Sequence, residues 1–171
     1  RLELPEQAEK PNRRVFLLAA GLSALVSALY LAAYFPGGFS SDTVYQWRQI
    51  TGAMPYSDWH PALHTLTMAA LLKLVDHPAF VLAVQELCYA LAIGYTADVL
   101  TRWRVPKGLV AVLTAYLCLN PAISNIMTFP WKDCAFAIAA LFLGAQLLDV
   151  HFSQGETLSP VRCLALGVTL S

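Results

Sequence analysis

Residues 15 to 35, VFLLAAGLSALVSALYLAAYF, run for 21 residues without a charge. As a helix rising ~1.5 Å per residue, the run covers ~32 Å, enough to cross the hydrocarbon core of a bilayer. Lys10, Arg13 and Arg14 precede it. A secretory signal peptide has the same order of basic then apolar residues, but its apolar region is shorter, and further apolar segments follow here. The run is therefore read as a first transmembrane helix, with its basic flank in the cytoplasm. Composition agrees: the chain is 57% hydrophobic and 13% charged, where a soluble domain carries about a quarter charged residues. Net charge is zero, which gives no sign of a nucleic-acid partner. The cysteines (Cys88, Cys118, Cys134, Cys163) stand among apolar residues without CxxC spacing. They fit neither a zinc site nor a disulfide framework and read as buried thiols. The chain begins at Arg1 and stops at Ser171 inside the apolar run CLALGVTLS, so it is expected to be a window of a longer protein.

The expected class is all-α, a polytopic membrane helical bundle. Residues 1–14 form a cytoplasmic tail, and 15–171 a membrane domain. Spans are expected at about 15–35, 78–100, 108–127 and 134–150, with another, 163–171, cut short by the end of the chain. The Arg102-Trp103-Arg104 and Lys107 cluster belongs in the cytoplasm. One crossing must therefore separate it from Phe35, and the short apolar segment 62–75 is read as a juxtamembrane or re-entrant helix. Asn120-Pro121 predicts a kink near the outer end of the third span. Loop 36–77 and loop 128–133 then share the external face.

The first loop holds the longest polar stretch, FPGGFSSDTVYQWRQITGAMPYSDWHP. Pro36-Gly37-Gly38 stops the first helix. Ser40 or Ser41 is a good N-cap for a short helix, 41–51, and Gly52 a good stop. Val44, Trp47 and Ile50 make a narrow apolar stripe on it, which suits a helix lying at the membrane surface. Pro61 suits the first turn of helix 62–75.

Several polar residues in and near these loops are candidates to carry chemistry. Asp42, in the first turn of helix 41–51, either complements the helix dipole or serves as a general base or metal ligand. Asp58 and His60 either cap the helix beginning at Pro61 or join a site. His60 and His64 have i,i+4 spacing but lack the glutamate of HExxH, so His64 is read as packing. Asp133 in TFPWKD lies on the same face as Asp42. Together the two acids form a constellation able to hold a divalent metal or deprotonate a hydroxyl. Arg48, Lys73 and Lys132 are external cations able to meet a lipid phosphate, or else solvated side chains. Glu86 stands roughly eight residues, or ~12 Å, into the second span. An acid at that depth marks an intramembrane function by default, and a transporter or channel component is the alternative it supports. A non-catalytic membrane subunit is a third reading. Asp98 and Arg102 form an i,i+4 pair.

The order and spacing of PGGFSSDTVYQW, YSDWHPALHT and TFPWKD resemble the N-terminal module of GT-C membrane glycosyltransferases. These include the protein O-mannosyltransferases and the aminoarabinose transferases of lipid A, and more narrowly an uncharacterised bacterial glycosyltransferase-like branch. The resemblance covers about residues 13 to 171. It implies an inverting transfer of sugar from a polyprenyl-phosphate-linked donor to a lipid, glycan or protein acceptor, at the outer face of the cell membrane. It implies Asp42 as catalytic base, Asp133 as its partner at the acceptor or at a divalent metal such as Mg or Mn, and His60-Pro61 as the start of the juxtamembrane helix. Asp42 is followed by Thr43 where many of that family carry a second acid, and Asp58 is the competing base.

Overall fold

The computed structural model describes residues 10–156 and 158–170 and, of residues 162, 166 and 168–170, the backbone alone. The expected tail lies outside the described residues as far as residue 9. The described chain is all-α, with eight helices and no strand: α1 (Arg13–Ala33), α2 (Ser41–Ile50), α3 (Ala62–Leu74), α4 (Pro78–Arg102), α5 (Lys107–Leu119), α6 (Pro121–Ile126), α7 (Lys132–Phe152) and α8 (Pro160–Leu170). Three of them, α1, α4 and α7, are long and apolar enough to cross a membrane, which makes this a candidate multi-pass membrane protein.

The packing of α1 follows membrane logic. Its buried residues are small, Ala19, Ser23 and Ser27, while Leu17, Leu18, Leu25 and Leu29 are exposed. In water the leucines would seek the core. In lipid they gain nothing by leaving the surface, and small residues let two backbones approach. The approach is close at Gly94 of α4, where a Cβ would lie 2.9 Å from both the Ala20 Cβ and the Phe16 carbonyl oxygen.

Helix α4 is the hub. Asn12 N–H at the start of α1 donates to Asp98 Oδ1 near the end of α4, at 2.6 Å, so these helices are antiparallel. Arg102 Nε donates to Asp98 Oδ2 at 3.0 Å and its Nη1 to Asp149 Oδ1 at 2.9 Å, so α4 and α7 end together. Trp103 Nε1 also donates to Asp149 Oδ1, at 3.0 Å. The i,i+4 pair legible in the sequence is thus one part of a buried network joining three helices at one end of the bundle.

Between α4 and α7 the expected span 108–127 arrives as two helices. Helix α5 has 13 residues, ~20 Å of rise, and stops at Asn120. The Asn120 side chain then accepts from Ala122 N–H at 3.0 Å and caps α6, with Pro121 in its first turn.

The opposite end of the bundle carries the loops. Ser40 is the N-cap of α2, its Oγ accepting from Thr43 N–H at 3.1 Å, and Gly52 ends that segment at φ +74°. The stripe on α2 is not left for a membrane surface, as the sequence suggested. Trp47 and Ile50 pack against Met68, Leu72 and Val81, and only Val44 of the three is exposed. The residues α2 buries completely are polar: Thr43, Gln46 and Gln49. Helix α3 follows Pro61, which serves as its N-cap without a side-chain hydrogen bond. Asp58 and His60 therefore do not cap it.

Candidate functional site at the loop end of the bundle

The two loops meet through backbone as well as side chains. Gly38 N–H donates to the Thr128 carbonyl at 2.9 Å, and Thr43 Oγ1 donates to the Pro130 carbonyl at 3.3 Å. A Cβ on Gly37 would strike Leu82, and one on Gly38 would strike Phe129. The Pro-Gly-Gly sequence thus allows one loop to press against the other, beyond ending α1. From α4, Gln85 Nε2 donates to the Met127 and Phe129 carbonyls, both at 3.0 Å. This pins the segment that leads into Trp131 and Lys132.

That clamp brings Asp42 against the start of α7. Lys132 Nζ donates a short hydrogen bond to Asp42 Oδ2, and Trp131 Nε1 donates to the same oxygen at 3.4 Å. Lys132 Nζ also lies 3.3 Å from His60 Nδ1, which is 4.0 Å from Asp42 Oδ2. A lysine ammonium has donors only, so His60 Nδ1 accepts, and the ring's own proton sits on Nε2. His60 is 4% exposed and takes the Tyr45 ring edge-on at a centroid distance of 5.2 Å. The hydrogen bonds from Lys132 and then Trp131 hold the Asp42 carboxyl below the usual aspartate range, outweighing the opposing effect of burial.

Behind this cluster, Gln46 is fully buried. Its Nε2 donates to Thr65 Oγ1 at 2.8 Å and to His64 Nδ1 at 3.1 Å. Gln49 reaches the Ser57 hydroxyl at 3.1 Å and the Pro55 and Ser57 carbonyls at 3.4 Å, which ties the 55–57 loop to α2. The buried glutamines of α2 are the struts of the site.

His64 opens onto a groove of about 410 Å³ between α3, α4 and α7. Its lining is almost wholly apolar and includes Met68, Leu71, Val84, Leu91, Ile138 and Phe142. From Ala135 to Phe142 it follows α7 for seven residues, ~10 Å, away from the loops. Burial first, and then the charge of Lys132, lower the His64 pKa; Asp133 opposes this. The imidazole is therefore neutral near pH 7.

The other expected site residues stand apart. Asp133 is exposed and makes no hydrogen bond or ion pair among the described residues. Its neighbour Lys132, rather than Asp133 itself, meets Asp42. Asp58 is exposed in a turn. Arg48 and Lys73 are exposed and form no ion pair among the described residues. Lys73 lies nine residues past His64, ~13 Å along α3. Among the described residues no group of three or more His, Cys, Asp or Glu side chains is placed to hold a metal ion. At Asp42 the position beside the carboxylate is taken by an ammonium. The donor set does not fit a divalent metal. His60 and His64 do not share a helix face, because α3 begins only at Ala62.

Glu86 is buried, and its Oε1 has no hydrogen-bond partner. Its neighbour Gln85 bonds loop 127–129, so the first two turns of α4 rise past that loop and Glu86 lies at loop height. Of the cysteines, Cys118 and Cys134 are buried, while Cys88 and Cys163 are exposed on helix surfaces.

No family model, curated protein or solved structure matches the chain.

Proposed function

We propose that this chain carries the catalytic end of a membrane glycosyltransferase of GT-C type. On this reading the N-terminus is cytoplasmic and the loop end faces outward. Sugar moves from a polyprenyl-phosphate-linked donor to an acceptor hydroxyl, with inversion. One observation carries the reading: a carboxylate from one loop and a lysine from the other meet beside a groove that is apolar along its length. A polar head and a long apolar tail are what a lipid-linked sugar presents, and this end of the bundle offers a place for each.

Asp42 takes the proton from the acceptor hydroxyl. The acceptor oxygen attacks the anomeric carbon, the bond from that carbon to the phosphate oxygen breaks, and the lipid phosphate leaves with the electron pair. Lys132 neutralises the charge that develops on it. In the resting arrangement Lys132 is bound to Asp42, which makes the carboxylate a poor base. A donor phosphate competes for the same ammonium. As Lys132 turns to the phosphate, Asp42 loses the partner that lowers its pKa and becomes a better proton acceptor. The base is thus released when the donor is seated. Asp133, exposed beside Lys132, is positioned on this reading toward the acceptor.

The test uses the full-length protein in proteoliposomes with a panel of synthetic polyprenyl-phosphate sugars, measuring release of prenyl phosphate. Asp42→Asn is expected to lower release by at least about a thousandfold with expression and folding unchanged; full activity in that variant sinks the assignment. Glu86 supports the alternative, a transporter or channel component, through its buried, unpartnered oxygen. That reading requires Glu86→Gln to stop function while Asp42→Asn does not.

A further inference from the structure

His64, read from the sequence as packing, is held in a defined state. Gln46 Nε2 makes hydrogen bonds to both Thr65 Oγ1 and His64 Nδ1 and leaves only Gln46 Oε1 without a partner. The flipped amide would bury two unpartnered N–H donors in place of one acceptor, which is the costlier choice. His64 Nδ1 is therefore an acceptor, and its proton is on Nε2. That nitrogen has no partner among the described residues, and the residue lines the mouth of the apolar groove. Burial first, and then the charge of Lys132, disfavour a second proton on the ring, with Asp133 acting against them. His64 thus brings one neutral N–H donor to an almost wholly apolar groove, near enough to the Lys132 ammonium to feel its charge.

We infer that His64 Nε2–H is a hydrogen-bond donor to an anionic oxygen of a lipid phosphate whose chain lies in the groove. This rests on the transferase reading and adds a residue to it. An N–H that stays neutral and fixed in orientation donates to a phosphate oxygen without placing a second full charge beside Lys132. The matching alcohol has no anionic oxygen and gains no such bond.

The experiment measures Kd of the full-length protein in detergent for farnesyl phosphate and for farnesol, by intrinsic tryptophan fluorescence. The expected result is that the wild type prefers the phosphate and His64→Leu loses about ten- to a hundredfold in phosphate affinity, the range for a hydrogen bond to a charged group, while farnesol affinity holds. His64→Gln, whose amide nitrogen reaches the Nε2 position, keeps most of the preference. His64→Asn, whose amide reaches only the Nδ1 position, behaves like Leu and replaces it should Leu prevent folding. If His64→Leu or His64→Asn binds farnesyl phosphate as the wild type does, the inference is overturned and the transferase reading stands. If His64→Gln loses as much as Leu, the donor role is overturned. If the wild type does not distinguish the phosphate from the alcohol, both fail.

Discussion

Gly38→Ala tests whether the contact between the two loops positions the chemistry. Unlike Gly37, at φ +119°, Gly38 does not have a left-handed backbone, so alanine brings no conformational strain of its own. The effect comes from one methyl group. Its Cβ would stand 2.4 Å from Phe129 Cε1 and Cζ, where ordinary contact begins at 3.4 Å, so about 1 Å must be yielded. The Phe129 backbone cannot retreat easily, because Gln85 holds its carbonyl at 3.0 Å. Either the ring swings or the 36–40 loop lifts from Thr128, and with it the start of α2 and Asp42. Overpacking of this size costs about 1–3 kcal/mol, and a displacement near 1 Å at a reacting group costs about a hundredfold in rate. Release of prenyl phosphate should therefore fall by about that factor, with a modest loss of thermal stability in detergent. Phe129→Leu added to Gly38→Ala removes the clashing ring carbons and should restore at least about tenfold, a coupling visible in a double-mutant cycle. Wild-type rates in Gly38→Ala, or strictly additive effects of the two changes, would refute the claim that this junction sets the position of Asp42.

Two further outcomes follow from the charges. The Asp42 pKa is lowered by Lys132 and Trp131, so the stability this pairing contributes is present above the ordinary aspartate value of 3.8. It is lost as pH falls through the lower, folded value. The difference in melting temperature between wild type and Asp42→Asn should therefore hold from about pH 8 to about pH 5 and close only below about pH 4; a difference that already closes near pH 6 contradicts the pairing. At the other end of the bundle, Arg102→Met removes the cation that bridges the Asp98 and Asp149 carboxylates. Removing one member of a buried ionic group costs about 3–5 kcal/mol. Expression and thermal stability should drop sharply, and Asp98→Asn/Arg102→Met/Asp149→Asn should recover much of the loss; a triple variant no better than the single one counts against the network.

The helices were legible because their signals are local. The 21 uncharged residues after Arg14, the Ser40 cap and the Asn120-Pro121 break each act within one or two turns, and each appears where the sequence indicated. Charge placement also read correctly in one respect: the loops carrying Asp42 and Lys132 do share one end. What escaped was pairing across long sequence separations. Val44, Trp47 and Ile50 form an apolar stripe whether they meet lipid or Met68, and periodicity alone does not say which. Gln46 and Gln49 look like a wet face until Thr65, His64 and Ser57 arrive from the next segment. TFPWKD drew attention to its aspartate, because two acids suggest a metal. The residue that reaches Asp42 is the lysine before it, and the direction of a side chain at the first turn of α7 is set by tertiary contacts. His64 escaped for the same reason, since its state depends on a glutamine 18 positions earlier.

The position of that lysine also explains why the site needs two loops. A carboxylate carried alone on α2 would be an ordinary solvated acid with a pKa that does not respond to substrate. Paired with a cation from the start of α7, it responds to anything anionic that competes for the cation. Asp42 and Lys132 keep part of their side chains exposed, so an anion can reach the cation, whereas His60 is almost wholly buried against Tyr45. Lys132→Met thus separates two effects that Asp42→Asn merges. On the proposed mechanism it frees the base permanently, raising the Asp42 pKa toward the ordinary aspartate value, and it removes the partner of the departing phosphate. The acid limb of the pH profile of kcat/KM should shift upward while kcat falls. An unchanged limb with the same fall in kcat would mean that Lys132 serves the phosphate alone and that the resting pair with Asp42 has no part in the chemistry.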